Sequence, residues 1–451
     1  MSRIAVFLIL VDFLIALVSG FVGQLIVSGT PLNAESLQAT TLPSLWFALA
    51  VVLSSALCEL YVRRYCMFDK GVLPRVVVSF FLVLTVLGAL GGGWPVFMGM
   101  KALLVALLLF CGLQYGLHSY SSSILGQQVL RNRVLILGTG RFAAQLTKTL
   151  NASSHRYFLV GFVKPRGELV DIDAGQILGD MDDLLSIAQQ QNIHKIIIAL
   201  EEQRGVLPVA DLLRCRFGGI DVVDAVTFYE EMTGKVHVKS VNPGWFIYST
   251  GFELDLLALT MKRAADITFS LVGIALTWPL MLLVALAVRL DSPGPILFRQ
   301  VRVGKNEEVF ELFKFRTMVE DAEAGTGAVW AQQNDPRVTR IGCFLRKTRL
   351  DELPQFFNVL KGDMAFVGPR PERPEFVLEL YQLLPYYAKR HALKPGVTGW
   401  AQINYPYGAS VDDALEKLNY DLYYIKNYSV FLDILIVMET VQVVLLGKGG
   451  R

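Results

Sequence analysis

KRAADITFSLVGIALTWPLMLLVALAVRLDSPGP, residues 262–295, is the stretch on which the fold turns. From Ala264 to Leu290 it is a mostly apolar run, long enough for a helix that crosses ~30 Å of hydrocarbon. Two features argue against a crossing. Lys262 and Arg263 precede the run and Arg289 lies near its end, so the positive-inside rule gives neither end a reason to leave the cytosol. Pro279, in Thr277-Trp278-Pro279, removes an intrahelical hydrogen bond in mid-segment and is expected to kink the helix. Pro-kinked spanning helices also exist, so the proline alone leaves both readings open. The polar chemistry downstream favours a helix that enters one leaflet and returns. Asp291-Ser-Pro-Gly-Pro295 then turns the chain off the membrane surface.

Upstream, the first 118 residues carry four apolar stretches: roughly Ile4–Val27, Ser44–Val62, Val76–Leu90 and Val96–Leu117. They predict a four-span bundle over residues 1–120, its third member short. No small-residue cleavage site followed by a soluble domain appears after the first stretch, so it is not read as a signal peptide. Arg63, Arg64, Lys70 and Arg75 crowd the second connection, and Arg131 and Arg133 follow the fourth span. The first connection, Ser28 to Pro43, has no Lys or Arg. Positive loops stay inside, which places both ends of the bundle in the cytosol; Lys101 is the one charge against it. Composition agrees. The 451 residues are 53% hydrophobic and only 18% charged, with mean hydropathy +0.45, which is a membrane protein of two or three units. A net charge of +2 gives no ground for nucleic-acid binding. Five cysteines without a CxxC pair and five scattered histidines support neither a disulfide framework nor a zinc site.

Residues 131–252 change character. Val134-Leu135-Ile136-Leu137 reads as a buried strand, followed by Gly138-Thr-Gly140-Arg-Phe-Ala143 and a helix. Further apolar runs at Phe158–Val163, Lys195–Leu200 and Gly219–Val223, with a helix over Asp182–Gln191, alternate as in a Rossmann-like parallel sheet. GxGxxA after a strand is a weak cofactor-like loop, with Gly138 and Gly140 its candidate contacts to a pyrophosphate. The second strand, however, runs into Lys164, Pro165 and Arg166 where a ribose-binding acid would stand. The alternative is a regulatory or assembly module that keeps the turn because the fold needs it.

Between Gln300 and Gln402 short polar motifs crowd together. Lys314 and Arg316, in KFRTM, project from one face if extended and suit a diphosphate. Leu345-Arg346-Lys347-Thr348-Arg349-Leu350 leads into Asp351-Glu352-Leu353-Pro354-Gln355, with Pro354 suited to begin a short helix and Gly362 to end it. The helix N-terminus and Arg346 and Arg349 are expected to keep both carboxylates ionised, and the two arginines are candidates to bind the substrate phosphates. Two adjacent carboxylates among cations point to phosphate with a divalent metal: one holds Mg²⁺ while the other attacks phosphorus. Alone, an Asp-Glu pair beside arginines is more often a helix start with surface ion pairs. Lys361-Gly-Asp-Met364 and Val367-Gly-Pro-Arg370-Pro371 weaken that reading, since prolines on both sides fix Arg370 for an oxyanion.

LRKTRLDELPQFFNVLKGDMAFVGPRP, with KFRTM before it and KPGVTGWAQIN (Lys394–Asn404) after it, resembles the bacterial sugar transferase family over about Lys262 to Arg451. These are monotopic polyprenyl-phosphate glycosyl-1-phosphate transferases that initiate exopolysaccharide, capsule and O-antigen synthesis. The bundle and Rossmann-like unit resemble the larger, exopolysaccharide-initiating members. The resemblance implies a mostly α-helical catalytic domain over 260–451 with a re-entrant helix at about 264–290. It makes Asp351 the nucleophile of an aspartyl phosphosugar, Glu352 its partner near Mg²⁺, Lys314, Arg346 and Arg370 the basic positions near the phosphates, and Pro279 the helix-breaking proline. Gly304-Lys-Asn-Glu-Glu-Val309 departs from the family's Gly-x-Asn-Gly by its acidity.

The implied partners are a nucleotide sugar (a UDP-sugar), polyprenyl phosphate and the membrane. A homo-oligomer and polysaccharide-assembly proteins are compatible with it. The C-terminal run Val430–Leu446, interrupted by Asp433 and Glu439, is expected along the interface rather than across it. The rivals are a direct glycosyltransferase without a covalent intermediate, a non-catalytic scaffold or sensor of polysaccharide assembly, and a hydride-transfer enzyme.

Overall fold

The computed structural model describes residues 3–29, 34–58, 60, 72–91, 99–125, 132–153, 157–200, 207–241, 243–249, 251–252, 256–320, 322, 335–405, 408 and 410–445. Arg63, Arg64, Lys70 and Arg131, four of the charges behind the orientation reading, lie outside them.

Helices α1 (Arg3–Ser28), α2 (Ala34–Leu57), α3 (Val72–Gly91) and α4 (Met100–Leu125) form a bundle in which α1 and α3 each pack on both α2 and α4. Leu8–Ser28 and Met100–Tyr120 are long and apolar enough to cross a membrane, whereas Thr40–Ala56 and Arg75–Leu84 are shorter apolar stretches. The second helix begins at Ala34, earlier than its apolar stretch, and carries Pro43 inside. Phe47, Val51, Leu103, Leu107 and Phe110 fill the bundle's centre. A buried polar knot stands among the apolar residues. Gln114 Nε2 donates to Asp12 Oδ2 (2.7 Å) and Ser55 Oγ (3.0 Å), and His118 Nε2 meets Asp12 Oδ2 at 3.0 Å. Polar groups in an apolar bundle hold one another because nothing else there can.

The middle region is a five-stranded parallel sheet, β1 (Asn132–Leu137), β2 (Tyr157–Lys164), β3 (Ile177–Asp180), β4 (Lys195–Ile198) and β5 (Asp221–Asp224), in the order β3-β2-β1-β4-β5. Strand β1 shows why its four apolar residues need no polar alternation. Val134 and Ile136 pack against α5 (Arg141–Ser153) and α8 (Ala225–Thr233), while Leu135 and Leu137 pack against α6 (Leu184–Gln190) and α7 (Val209–Phe217). The expected strands at Phe158–Val163, Lys195–Leu200 and Gly219–Val223 are β2, β4 and β5. The short edge strand β3 has no apolar run to announce it.

After α9 (Pro243–Tyr248) comes α10, Leu256–Asp291, 36 residues with Pro279 inside. At 1.5 Å per residue it is about 54 Å long, well beyond the ~30 Å of hydrocarbon. The helix runs on through Pro279, where the sequence leads one to expect a break. Both ends are gripped by one folded unit. At the start, Lys262 Nζ donates to Val367 O (2.9 Å) and Asp433 Oδ2 (2.9 Å), and Asp266 Oδ1 accepts from Phe366 N (2.8 Å). At the far end Val284 and Val288 share a core with Phe315 and Leu345.

That unit consists of an antiparallel hairpin, β6 (Leu297–Val303) with β7 (Val309–Phe315), then α11 (Arg340–Thr348), α12 (Gln355–Lys361) and β8 (Ala365–Val367). Helix α13 (Pro374–Leu383), β9 (Gly396–Thr398, parallel to β8), α14 (Trp400–Asn404), α15 (Val411–Lys426) and α16 (Val430–Leu445) complete it. Helix α16 places Leu432 and Ile436 in a core shared with α15. It also reaches the bundle, with the Arg75 guanidinium 4.9 Å from the centre of the Phe431 ring. The same core takes in Val226, Val236, Val238 and Val241 from the end of the sheet region.

Candidate active site

Helix α11 ends on Arg349, whose φ of +60° is left-handed, and the reversal carries the chain into the turn Leu350–Glu352. A non-glycine residue in that conformation is strained and is tolerated where the surroundings over-determine it. Leu350 and Leu353 seat the turn on the Val284–Val288 half of α10. Behind it α12 ends, as its sequence indicates, at Gly362 with φ +100°. Asn358, fully buried, locks α12 to the hairpin: Nδ2 donates to Glu311 O (2.7 Å) and Oδ1 accepts from Phe313 N (3.0 Å). Lys314 is thereby held opposite the acidic turn.

The cations converge on one atom. Glu352 Oε1 accepts from Arg370 Nη2 at 2.7 Å and Lys314 Nζ at 3.1 Å, with Arg349 Nη1 at 3.8 Å. Burial would raise the Glu352 carboxyl, but the charges of Arg370, Lys314 and Arg349 outweigh it and hold the group well below its ordinary value of 4.5. Asp351 goes the other way. Its burial, aided by the negative charge of Glu352, outweighs Lys314, Arg370 and Arg346 and pushes it above 3.8. Burial likewise lowers Lys314, against the pull of Glu352. Desolvation thus separates the two carboxyls, and α12, with only seven residues, follows the turn.

Of the residues expected to meet phosphate, Lys314, Arg349 and Arg370 gather on Glu352. Arg346 Nε donates to Thr317 Oγ1 (2.9 Å), and its charge acts on Asp351. Arg316 does not join them. Its guanidinium donates to Pro293 O (2.6 Å), Ser292 O (2.7 Å) and Ser292 Oγ (3.0 Å), closing the far end of α10, where helix carbonyls lack partners. The alternation that placed Lys314 and Arg316 on one face stops with β7 at Phe315. The acidic hairpin loop puts Asn306 (φ +52°) and Glu307 (φ +68°) in left-handed conformations, the second at the place of the family's glycine.

The Gly138–Gly140 turn lies far along the chain from this cluster and already holds an anion of its own. Thr139 N donates to Glu168 Oε2 at 2.6 Å. Gly138 (φ +132°) is needed because a Cβ would meet Ala199 O at 2.5 Å. The turn is therefore accounted for by close strand packing and an internal carboxylate.

Among the described residues no three His, Cys, Asp or Glu side chains form a ready metal shell. Mg²⁺ asks for less: one or two carboxylates, with water and substrate phosphate completing its octahedron. Asp351 and Glu352, two adjacent carboxylates, fit that demand.

Residues 257–447 match the family model of the bacterial sugar transferases. The chain is 36% identical over 393 residues to "Undecaprenyl-phosphate glucose phosphotransferase" of Komagataeibacter xylinus, covering 83% of this chain and 70% of that one. It is 44% identical over 243 residues to "UDP-N-acetylgalactosamine-undecaprenyl-phosphate N-acetylgalactosaminephosphotransferase" of Aeromonas hydrophila, covering 53% and 56%. Over 276 residues it is 40% identical to "UDP-glucose:undecaprenyl-phosphate glucose-1-phosphate transferase" of Escherichia coli (strain K12), covering 58% and 57%. The matches thus span little more than half the length of two of these relatives.

Proposed function

The chain belongs to the bacterial sugar transferase family, and on that premise we propose that it transfers a sugar-1-phosphate from a UDP-sugar to undecaprenyl phosphate, the first step of a lipid-linked exopolysaccharide. The observation that carries this is the split dyad: Glu352 wrapped by Lys314 and Arg370, and Asp351 beside it, buried and more basic than an ordinary carboxylate. In the reaction a carboxylate oxygen of Asp351 attacks the sugar-bearing phosphorus, the bond to the bridging oxygen breaks, and UMP leaves. An oxygen of the lipid phosphate then attacks the same phosphorus and returns the Asp351 carboxylate. Lys314, Arg370 and Arg346 offset the charge that builds on the equatorial oxygens. Mg²⁺, held by Glu352, would neutralise the diphosphate when bound.

We read 1–120 as a membrane bundle, 131–252 as a Rossmann-like cytosolic domain and 260–451 as the catalytic domain, on the inner membrane with its site facing the cytosol. The grip on both ends of α10 supports a helix that returns to the side it entered. Val367, held by Lys262 at its start, lies three residues before Arg370; Arg370 meets Glu352, whose turn sits on its far half.

The test is product identity. The full chain in membrane vesicles, given UDP-glucose or UDP-N-acetylgalactosamine with undecaprenyl phosphate, should release UMP. Release of UDP would favour the direct glycosyltransferase, and no release with either donor would leave the scaffold reading.

A further inference from the structure

Arg370 is presented by a segment that can do little to hold itself. Pro369 and Pro371 on either side have no N–H to give to a strand ladder, so the carbonyls around Arg370 must find donors elsewhere. Each does. Val367 O accepts from Lys262 Nζ (2.9 Å), Pro369 O from Gly396 N (2.9 Å), Pro371 O from Arg302 Nη1 (3.1 Å), and Glu372 O from Val303 N (2.9 Å). The carbonyl of Arg370 itself accepts from Arg390 Nη2 at 3.0 Å.

Arg390 is an unusual donor for this task. It is 4% exposed, in the turn after α13, and its other bonds fix it: Nε and Nη2 donate to Asp421 Oδ2 (3.1 and 2.8 Å), and Nη1 to Tyr387 OH (2.7 Å). Asp421, on α15, is 2% exposed. A buried pair of this kind is weak evidence for stability, because well-packed apolar residues often do as well. Its planar fork does give direction, and here the direction is toward the backbone of the residue that meets Glu352.

We propose that Arg390, oriented by Asp421, is the positioning residue that sets Arg370 against Glu352 for the transfer. The assignment rests on the reaction proposed above. Asp421 holds the plane of the guanidinium, Arg390 holds the Arg370 carbonyl, and the two prolines pass that placement to the Arg370 side chain.

A double-mutant cycle on UMP release from whichever UDP-sugar the wild-type chain uses, in vesicles containing undecaprenyl phosphate, tests it. Arg390→Gln should lower kcat about a hundredfold with KM changed less than about threefold, as a misplaced transition-state contact does. In an Arg370→Lys background the same change should cost less than about threefold, because residues acting through one another are not additive. Equal losses in both backgrounds would overturn the proposal. In case Arg390→Gln does not fold, Arg390→Met with Asp421→Leu removes the pair and keeps its volume. That variant should keep the wild-type melting temperature and still lose about a hundredfold in kcat; wild-type turnover from it would overturn the proposal. An inactive wild-type chain would instead defeat the reaction reading itself.

Discussion

Asp351 and Glu352 are neighbours whose carboxyls are driven in opposite directions, and their substitutions should therefore part company. In the folded chain Asp351 binds its proton more tightly than in the unfolded one. Above the ordinary carboxylate range the unfolded state has lost that proton first, so stability falls as pH rises from 3.8 through the raised value, and the charged form is a burden at neutral pH. Asp351→Asn should abolish transfer, by at least about a thousandfold, and raise the melting temperature. Glu352 contributes with the opposite sign: its stabilisation is present above 4.5 and is lost as pH falls toward its depressed value. Glu352→Gln should lower the melting temperature, because Lys314 and Arg370 lose their counter-charge. The same shift on Asp351 sets a pH profile. Since the nucleophile must be ionised, initial rates should fall on the acid side at a midpoint above ~4, the usual carboxylate value. At this scale the sequence could be read wherever chemistry was packed into a motif, as with Asp351, Glu352, Lys314 and Arg370. Asn358, Arg390 and Asp421 gave no such signal, because each acts across a distance in the chain that no local pattern records.

Helix α10 shows the next scale. Its apolar run and the position of Pro279 were legible in the sequence, but its start at Leu256 and the way its ends are closed were not. Arg316 looked like a phosphate ligand because it stands two residues from Lys314. It proves to be the donor that the Ser292-Pro293 turn lacks, a role decided by where the helix stops. Arg316→Ala should therefore destabilise the chain by about 2 kcal/mol, the worth of a charge-assisted bond, and leave the KM for the sugar nucleotide nearly unchanged. Thermal unfolding together with steady-state kinetics separates the two roles: an unchanged melting temperature with a large rise in KM would return Arg316 to the phosphate site.

On the scale of the whole molecule, the sheet region and the C-terminal region are joined by buried charge. Glu230 of α8 accepts from Lys426 Nζ of α15 (2.6 Å) and Asn427 Nδ2 (2.8 Å), and Lys426 lies 4.3 Å from the centre of the Trp245 ring. Trp400 Nε1 donates to Gly234 O (2.7 Å) nearby. Strand periodicity and loop signals located the sheet region, but they are local and could not show that it shares a core with α15. Glu230→Ala leaves Lys426 buried without its carboxylate and should cost about 3–5 kcal/mol. A single unfolding transition at lower temperature is expected; two separated transitions would mean that the regions are not coupled. Helix α15 also carries Asp421, so the sheet region is tied to the element that orients Arg390.

The proposed reaction depends on a bond between Asp351 and phosphorus. The chain should be mixed with its UDP-sugar in vesicles lacking undecaprenyl phosphate, quenched in acid within a turnover, and digested for mass spectrometry. The peptide containing Asp351 should carry the mass of one phosphosugar, lost when undecaprenyl phosphate is added before the quench. Full UMP release on the later addition of lipid, with no modified peptide at any quench time, would contradict it.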